Sequence, residues 1–313
     1  MTTQNKLSYE IDKTIRRLGR LYFKIRMAIT GNKRPTSSPY ISGDSFRALA
    51  DHIHDETGTF NPESVNSGDI IFVSQGFVYK YLQTLHKEIT QPYILICHNG
   101  DETIDHKIVS LIDEKIIHFF AQDLVCEHDR ITPIPIGLEN LHFYINGITN
   151  VFTKIRSQIE IKTPVRKNKI FYNFSISTNP EERGPAKEYF SNHPLMEKTE
   201  HFLAPRRHLE VLLKYKFVAS PPGHAIESCR TWEAMYIKTV PIVKDYVAMK
   251  YFAKIGLPIW VVADWKELEG QTEESLETKY NDIIMGANFT PLFLDFWMNK
   301  IYQIQKDFKS TLK

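Results

Sequence analysis

Short apolar runs bounded by turn residues alternate along this chain with stretches in which apolar side chains recur every three or four positions. Runs at 70–73, 93–97 and 116–120 read as strands, and 77–86 between the first two reads as a helix. A second series begins with a strand at 169–174, continues through helical patterns near Glu181 and Arg207, and reaches a strand at 259–262. Between them 162–168 is charged, Pro-containing and poor in apolar residues, as a linker is. The densest signal is 216–245, KFVASPPGHAIESCRTWEAMYIKTVPIVKD, which reads strand, kinked loop, helix, turn, strand. Pro221, Pro222 and Gly223 stop the first run, Cys229, Trp232 and Met235 repeat at i, i+3, and 240–243 is apolar again. That order is a βαβ unit, whose strands must be parallel. The expected fold class is α/β with two Rossmann-like domains: 1–165, 166–290, and a helix at 291–309 in a tail, 291–313, that crosses back to the first domain.

Open parallel sheets bind ligands beyond the carboxyl ends of their strands, which puts the PPGH loop at the expected site. Arg230 and Glu233, with Glu227, are expected on the helix face opposite Trp232 and Met235. Helix-start amides and a forked cation suit a phosphate, and a carboxylate suits vicinal sugar hydroxyls. A surface i, i+3 ion pair is the plainer reading of Arg230 and Glu233.

SPPG followed by CRTWEA and VPIV resembles the C-terminal motif of exostosin-like glycosyltransferases, family 47 and its bacterial and viral relatives. YISGDSFRALADH, DIIFVS, PYILICHNGD, PIPIGLEN and YNFSISTNPEER resemble further blocks of that family, so the similarity runs roughly from Tyr40 to Val243. The resemblance implies a GT-B fold, two Rossmann-like domains facing a central cleft, and inverting sugar transfer from a nucleotide sugar without a bound metal or cofactor. The acceptor would be a glycan or a lipid-linked glycan. The donor set on this reading is Asn173, Ser175, Thr178, Arg183, Ser220, Pro222, Gly223, His224, Arg230, Thr231 and Glu233, with Arg183 neutralising the leaving diphosphate and Lys244 as a further cation. Inversion needs a base on the acceptor side, and the candidates are Asp101, ranked first, then His98, Asp44 and Glu139. Caps or Asx-turns are the structural alternative for Asp44 and Asp101. A non-catalytic nucleotide-sugar or glycan-binding protein of the same fold is the rival reading.

Charge and composition narrow the partners. A net charge of +2 gives no overall pull toward nucleic acid, so nucleic acid is not an expected partner. With 42% hydrophobic and 24% charged residues the composition is that of an ordinary globular protein. Cys97, Cys126 and Cys229 cannot all pair and form no C-x-x-C, which points to a reducing, cytoplasmic setting. Residues 1–5 are polar where a secretory leader turns greasy, so no leader is expected. Metal motifs are missing: there is no D-x-D, His52 and His54 fall in a stretch read as helical, where they would diverge, and Cys126 and His128 lack partners at zinc spacing. Neither GxGxxG nor a P-loop occurs. Finally, Ile15, Leu18, Leu21, Tyr22, Ile25 and Ile29 recur at helical spacing beside Lys13, Arg16, Arg17, Arg20, Lys24 and Arg26. This basic amphipathic helix either packs on its own domain or makes peripheral contact with an anionic membrane.

Overall fold

Two all-parallel five-stranded sheets organise the computed structural model, which describes residues 3–31, 33–199 and 203–312. The reading of residues 1–5 falls partly outside them. The first sheet runs in chain order, β1 (His52–His54), β2 (Ile70–Ser74), β3 (Tyr93–His98), β4 (Ile116–Ala121), β5 (Ile131–Pro133). The second comprises β6 (Lys167–Phe171), β7 (Met196–Glu197), β8 (Tyr215–Ala219), β9 (Val240–Lys244) and β10 (Trp260–Val262) in the order β10-β9-β8-β6-β7. Continuous apolar runs such as IIFVS in β2 form strands buried on both faces, as sheets covered by helices on either side require.

Alternate residues of each sheet feed different cores. Ile70, Phe72, Ile94, Ile96 and Phe120 from the first sheet and Phe171, Val218 and Val243 from the second belong to one contiguous apolar cluster that joins the two halves. Their neighbours face outward cores: Ile71, Val73, Leu95 and Phe119 on one side, Ile170, Phe217, Ala219 and Ile242 on the other. Between the sheets, Trp232 meets Phe252 edge-to-face at 5.3 Å, and Phe252 meets Trp297 at 6.2 Å.

The Tyr236 hydroxyl ties three parts of the chain at this joint. It accepts from the Ile41 amide at 3.2 Å and donates to the Leu292 carbonyl at 2.7 Å. Beside it the chain ends cross, with Leu294 N–H donating to Pro39 O at 3.0 Å and Gln305 Nε2 to Gly68 O at 2.8 Å.

Several elements differ from the sequence reading. The expected helix 77–86 is a 3-10 turn followed by Val78–Gln83 and Leu85–Glu88, broken at Thr84, which turns His86 inward so that its Nδ1 lies 2.7 Å from the Tyr93 hydroxyl. His52 and His54 lie on β1, not a helix, so they share a side; they part because His52 Nε2 pairs with Asp69 and His54 Nδ1 with Thr59. The strand expected at 169–174 is Lys167–Phe171, and the last helix is Leu294–Thr311, Pro291 lying in the 3-10 turn before it. The amphipathic helix, Thr3–Ile29, rests on the body by one edge: Phe23 is buried, and a Cβ on Gly19 would lie 1.9 Å from the Tyr144 ring. No helix among the described residues is long and apolar enough to cross a membrane.

Removing the Tyr236 hydroxyl strands a buried N–H and a buried C=O. Tyr236→Phe should therefore lower unfolding free energy by about 1–3 kcal/mol in urea titrations. A loss below about 0.5 kcal/mol, the size of an ordinary surface change, would show that the hydroxyl does not hold the joint.

Candidate functional site

The loops leaving the carboxyl ends of the two sheets meet. From the first sheet come Gln75 after β2, Asn99–Glu102 after β3, Gln122 and Asp123 after β4, and 134–140 after β5; from the second comes the SPPGHAIES loop after β8. Glu227 is the central tie. Its Oε2 accepts from the Ile136 amide at 3.0 Å and from Trp232 Nε1 at 2.9 Å, while its own N–H donates to Asp123 Oδ1 at 3.1 Å. Nearer the surface His224 Nδ1 stands 3.7 Å from Asp101 Oδ2. Glu227 precedes the helix, whose N-cap is Ser228, rather than lying on its face as the spacing suggested.

Burial governs the protonation of this seam. Glu227 is pushed well above the usual carboxylate range, first by burial and then by Asp123, and Asp123 is raised to about 7, again chiefly by burial. Both carboxyls therefore favour the neutral form. Asp123 adopts a left-handed backbone, φ 53°, which a short polar side chain tolerates.

Helix Cys229–Tyr236 carries the expected donor residues. Ser228 Oγ caps it by accepting from Arg230 N–H at 3.3 Å. Arg230 Nε stands 3.7 Å from Glu233 Oε2, with about a third of the Arg230 side chain exposed (32%). Glu233 is buried, its Oε1 has no hydrogen-bond partner, and burial raises its pKa against the opposing pull of Arg230; Glu139, across the seam, raises it further. Ser220 and Thr231 share a hydroxyl contact of 2.7 Å behind this turn.

Arg183 has an immediate structural task. Its Nε donates to Pro222 O at 2.7 Å, its other nitrogens to Pro221 O and Ser175 O, each at 3.1 Å, and to Thr178 Oγ1. Asn179 adds a bond to Gly223 O at 2.9 Å, so the loop after β6 is bolted to the PPGH loop. Gly223 is close to this bolt: a Cβ there would sit 3.1 Å from an Arg183 nitrogen. Arg183 is buried with its N–H groups committed, and Arg230 is the more accessible cation. Asn173 turns away to Thr199, and Lys244 Nζ donates to Ala263 O.

On the first-sheet side a polar cluster surrounds Asp44. Its carboxylate meets His142 Nδ1 at 2.6 Å, Arg34 at 3.3 Å and Asn99 Nδ2 at 3.3 Å, and its N–H donates to Asn140 Oδ1 at 2.8 Å. Asn99, in the left-handed region at φ 63°, also accepts from Asn140 Nδ2 at 2.8 Å. His98 is buried, its Nδ1 accepting from Asn99 N–H and its Nε2 facing Pro135 O, and burial lowers its pKa to about 4. Glu139 accepts from Asn146 N–H at 2.8 Å. Asp101 is exposed.

Thus the structure brings Glu227, Arg230, Glu233 and Glu139 to one seam, and Asp44, His98 and Asn99 to an adjoining cluster. Sequence reasoning passed over Asp123, Gln122, Asn140 and His142. A local signal existed for His142, three residues beyond Glu139 in the block PIGLEN-LH, whereas nothing near Asp123 in sequence announces a partner 104 residues away. Among the described residues no group of three or more His, Cys, Asp or Glu is placed to hold a metal ion.

No protein-family model matches the chain, and no curated protein matches it. Similar solved structures include the N-terminal domain of Candida albicans trehalose-6-phosphate phosphatase, at 13% identity and TM-score 0.39, covering 77% of this chain and 71% of that one. Another is TarM, a glycosyltransferase, at 12% identity and TM-score 0.30, covering 76% of this chain and 51% of that one. These likenesses are loose, and the exostosin-like resemblance stands on its motif residues alone.

The carboxyl pair makes stability depend on pH with a definite sign. A carboxyl whose folded pKa lies above its unfolded value, about 4, stabilises fully below pH ~4 and loses that contribution as pH rises through the folded value. The window is pH ~4 to about 7 for Asp123 and extends higher for Glu227. Neutral, buried His98, His118 and His208 act oppositely, but only below the ordinary histidine value of about 6.5. Between pH ~6.5 and ~8 the wild type should therefore lose about 1–3 kcal/mol, while Asp123→Asn/Glu227→Gln stays nearly flat. Parallel thermal melts of the two proteins check this, and equal slopes would contradict it.

Proposed function

We propose that this chain is an inverting glycosyltransferase of GT-B type, which passes a sugar from a nucleotide-sugar donor to a glycan or lipid-linked glycan acceptor where the carboxyl edges of its two sheets meet. The observation that carries this reading is Glu233: a buried carboxyl with an unpartnered oxygen, beside a partly exposed arginine, in the first turns of a helix that follows a parallel strand. A buried polar atom without a partner has an unmet need of about 1–3 kcal/mol, which ribose hydroxyls would meet. Arg230 and the amides of the 229–236 helix would take the diphosphate, supplying at the leaving group the positive charge that a metal supplies elsewhere. Arg183 then serves by bracing the two donor loops.

The base is the His142–Asp44 pair. His98 is an unsuitable acceptor of a proton because both ring nitrogens are engaged and burial opposes its charging. Asp101, exposed beside His224, lacks a group that orients it for proton transfer. His142, by contrast, is held through Nδ1 by the buried Asp44 side chain, which leaves Nε2 as proton acceptor. It lies three residues after Glu139, whose charge is felt by Glu233 and Cys229 of the donor helix.

Calorimetric titration with common nucleotide diphosphates and their sugars tests the donor side. Arg230→Ala and Glu233→Ala should each weaken binding about ten- to hundredfold. Equally weak binding of wild type and both variants to every nucleotide would end the donor assignment. With a donor identified, His142→Ala should lower turnover about 10²–10⁴-fold with donor affinity unchanged. Tight binding by the wild type without turnover on any glycan would instead identify a binding protein.

A further inference from the structure

Seven large apolar side chains on helix Thr3–Ile29, Ile11, Ile15, Leu18, Leu21, Tyr22, Ile25 and Ile29, are at least half exposed (50–79%). At 3.6 residues per turn they occupy an arc of about 120° that points away from the Gly19 and Phe23 edge seated on the body. Lys13, Arg17, Arg20 and Lys24 fill the polar face beyond one border of the arc, where Glu10 also lies, and Arg26 stands at the other border. The apolar surface continues onto the body: Ile15, Leu18 and Tyr22 share a groove of about 520 Å³ with Leu141, Tyr144 and Ile148. Phe143, next in chain, is exposed as well.

We propose that this face docks on an anionic phospholipid bilayer, the helix lying in the interface with its apolar arc among the acyl chains and its basic borders against the headgroups. Charge complementarity selects this occupant. Ile11, Ile15, Leu18, Tyr22, Ile25 and Ile29 also follow the alternating spacing of four and three that suits a paired helix, but the flanking positions of such a seam hold Asp12, Thr14, Gly19, Leu21, Arg26 and Ala28. With one acid and one base among six positions they lack the regular charge pairing of a helix pair. Leu21 widens the arc beyond a two-residue seam, and Gly19 is occupied by Tyr144. A broad apolar arc whose polar side from Lys13 onward carries only basic charges, with Glu10 and Asp12 before it, instead matches a lipid interface. The inference is independent of the donor site, and its failure would leave that reading untouched.

Vesicle sedimentation of the full chain tests it, using phosphatidylcholine alone and phosphatidylcholine mixed with phosphatidylglycerol. Wild type should bind the anionic vesicles at least about tenfold better, and added salt should erase the difference. Leu18→Glu/Ile25→Glu should abolish binding to both. Arg17→Glu/Lys24→Glu should remove the anionic preference, since each basic residue contributes about fivefold. All these side chains are exposed, so melting temperatures should not move. Equal pelleting of wild type and Leu18→Glu/Ile25→Glu, or equal binding to the two vesicle types, would overturn the proposal. So would sedimentation velocity showing a dimer that Leu18→Glu/Ile25→Glu disrupts while vesicles stay unbound; that result would assign the face to a second copy.

Discussion

A carboxyl group taken out of water needs either a partner for its charge or a proton, and burial pushes Glu227 toward the second. It sits where the loops of two parallel sheets close on one another, with Ile136 N–H and Trp232 Nε1 on one oxygen and Asp123 bound to its own amide. Trp232 is in turn the ring around which Phe252 and the apolar core between the sheets assemble. Glu227 thus connects the packing of the joint to the placement of the loops on either side. Replacing it by an apolar residue would loosen the relative position of the two sheet edges by removing two hydrogen bonds.

That placement gives the candidate site two unlike walls. The wall proposed for the donor is braced: Arg183 and Asn179 bolt one loop to the other, and Ser228 caps the helix that presents Arg230 and Glu233. Buried, mutually satisfied polar networks of this kind hold geometry through the number of partners each member has. The opposite wall has His142 on Asp44, with Asn99 donating to the Asp44 carboxylate and Asn140 accepting from the Asp44 backbone N–H. Glu233 keeps one oxygen unpartnered beside the partly exposed Arg230, and Gln75, Gln122 and Glu227 along the same seam each have an unpartnered oxygen as well.

The leading helix follows another rule. Where most of the chain hides its apolar side chains, this segment turns only Phe23 and the Gly19 edge inward and leaves an apolar arc outside. Contiguous exposed apolar surface of that kind signals an interaction in soluble folds, and its basic border specifies which surface would cover it.

Much of the architecture was legible in local pattern. The run of β2, the βαβ order at 216–245 and the helical stripe of residues 15–29 follow from the periods at which apolar side chains must repeat to share a face. The same logic placed the PPGH loop at a strand's carboxyl end. It misjudged β1, where three residues are too few for period two to stand out, and the break at Thr84, beyond which His86 turns inward to Tyr93. It also offered Arg183 as an open cation and could not see the Asp123–Glu227 or Asp44–His142 pairs, whose members lie 104 and 98 residues apart. Sequence by itself determined which segments are strands and helices, because backbone geometry and side-chain period are local. Only the tertiary structure decided which polar groups are buried together, and hence which hold a proton, brace a loop or remain free for a ligand, because burial and hydrogen-bond partnership arise between parts of the chain that meet only on folding.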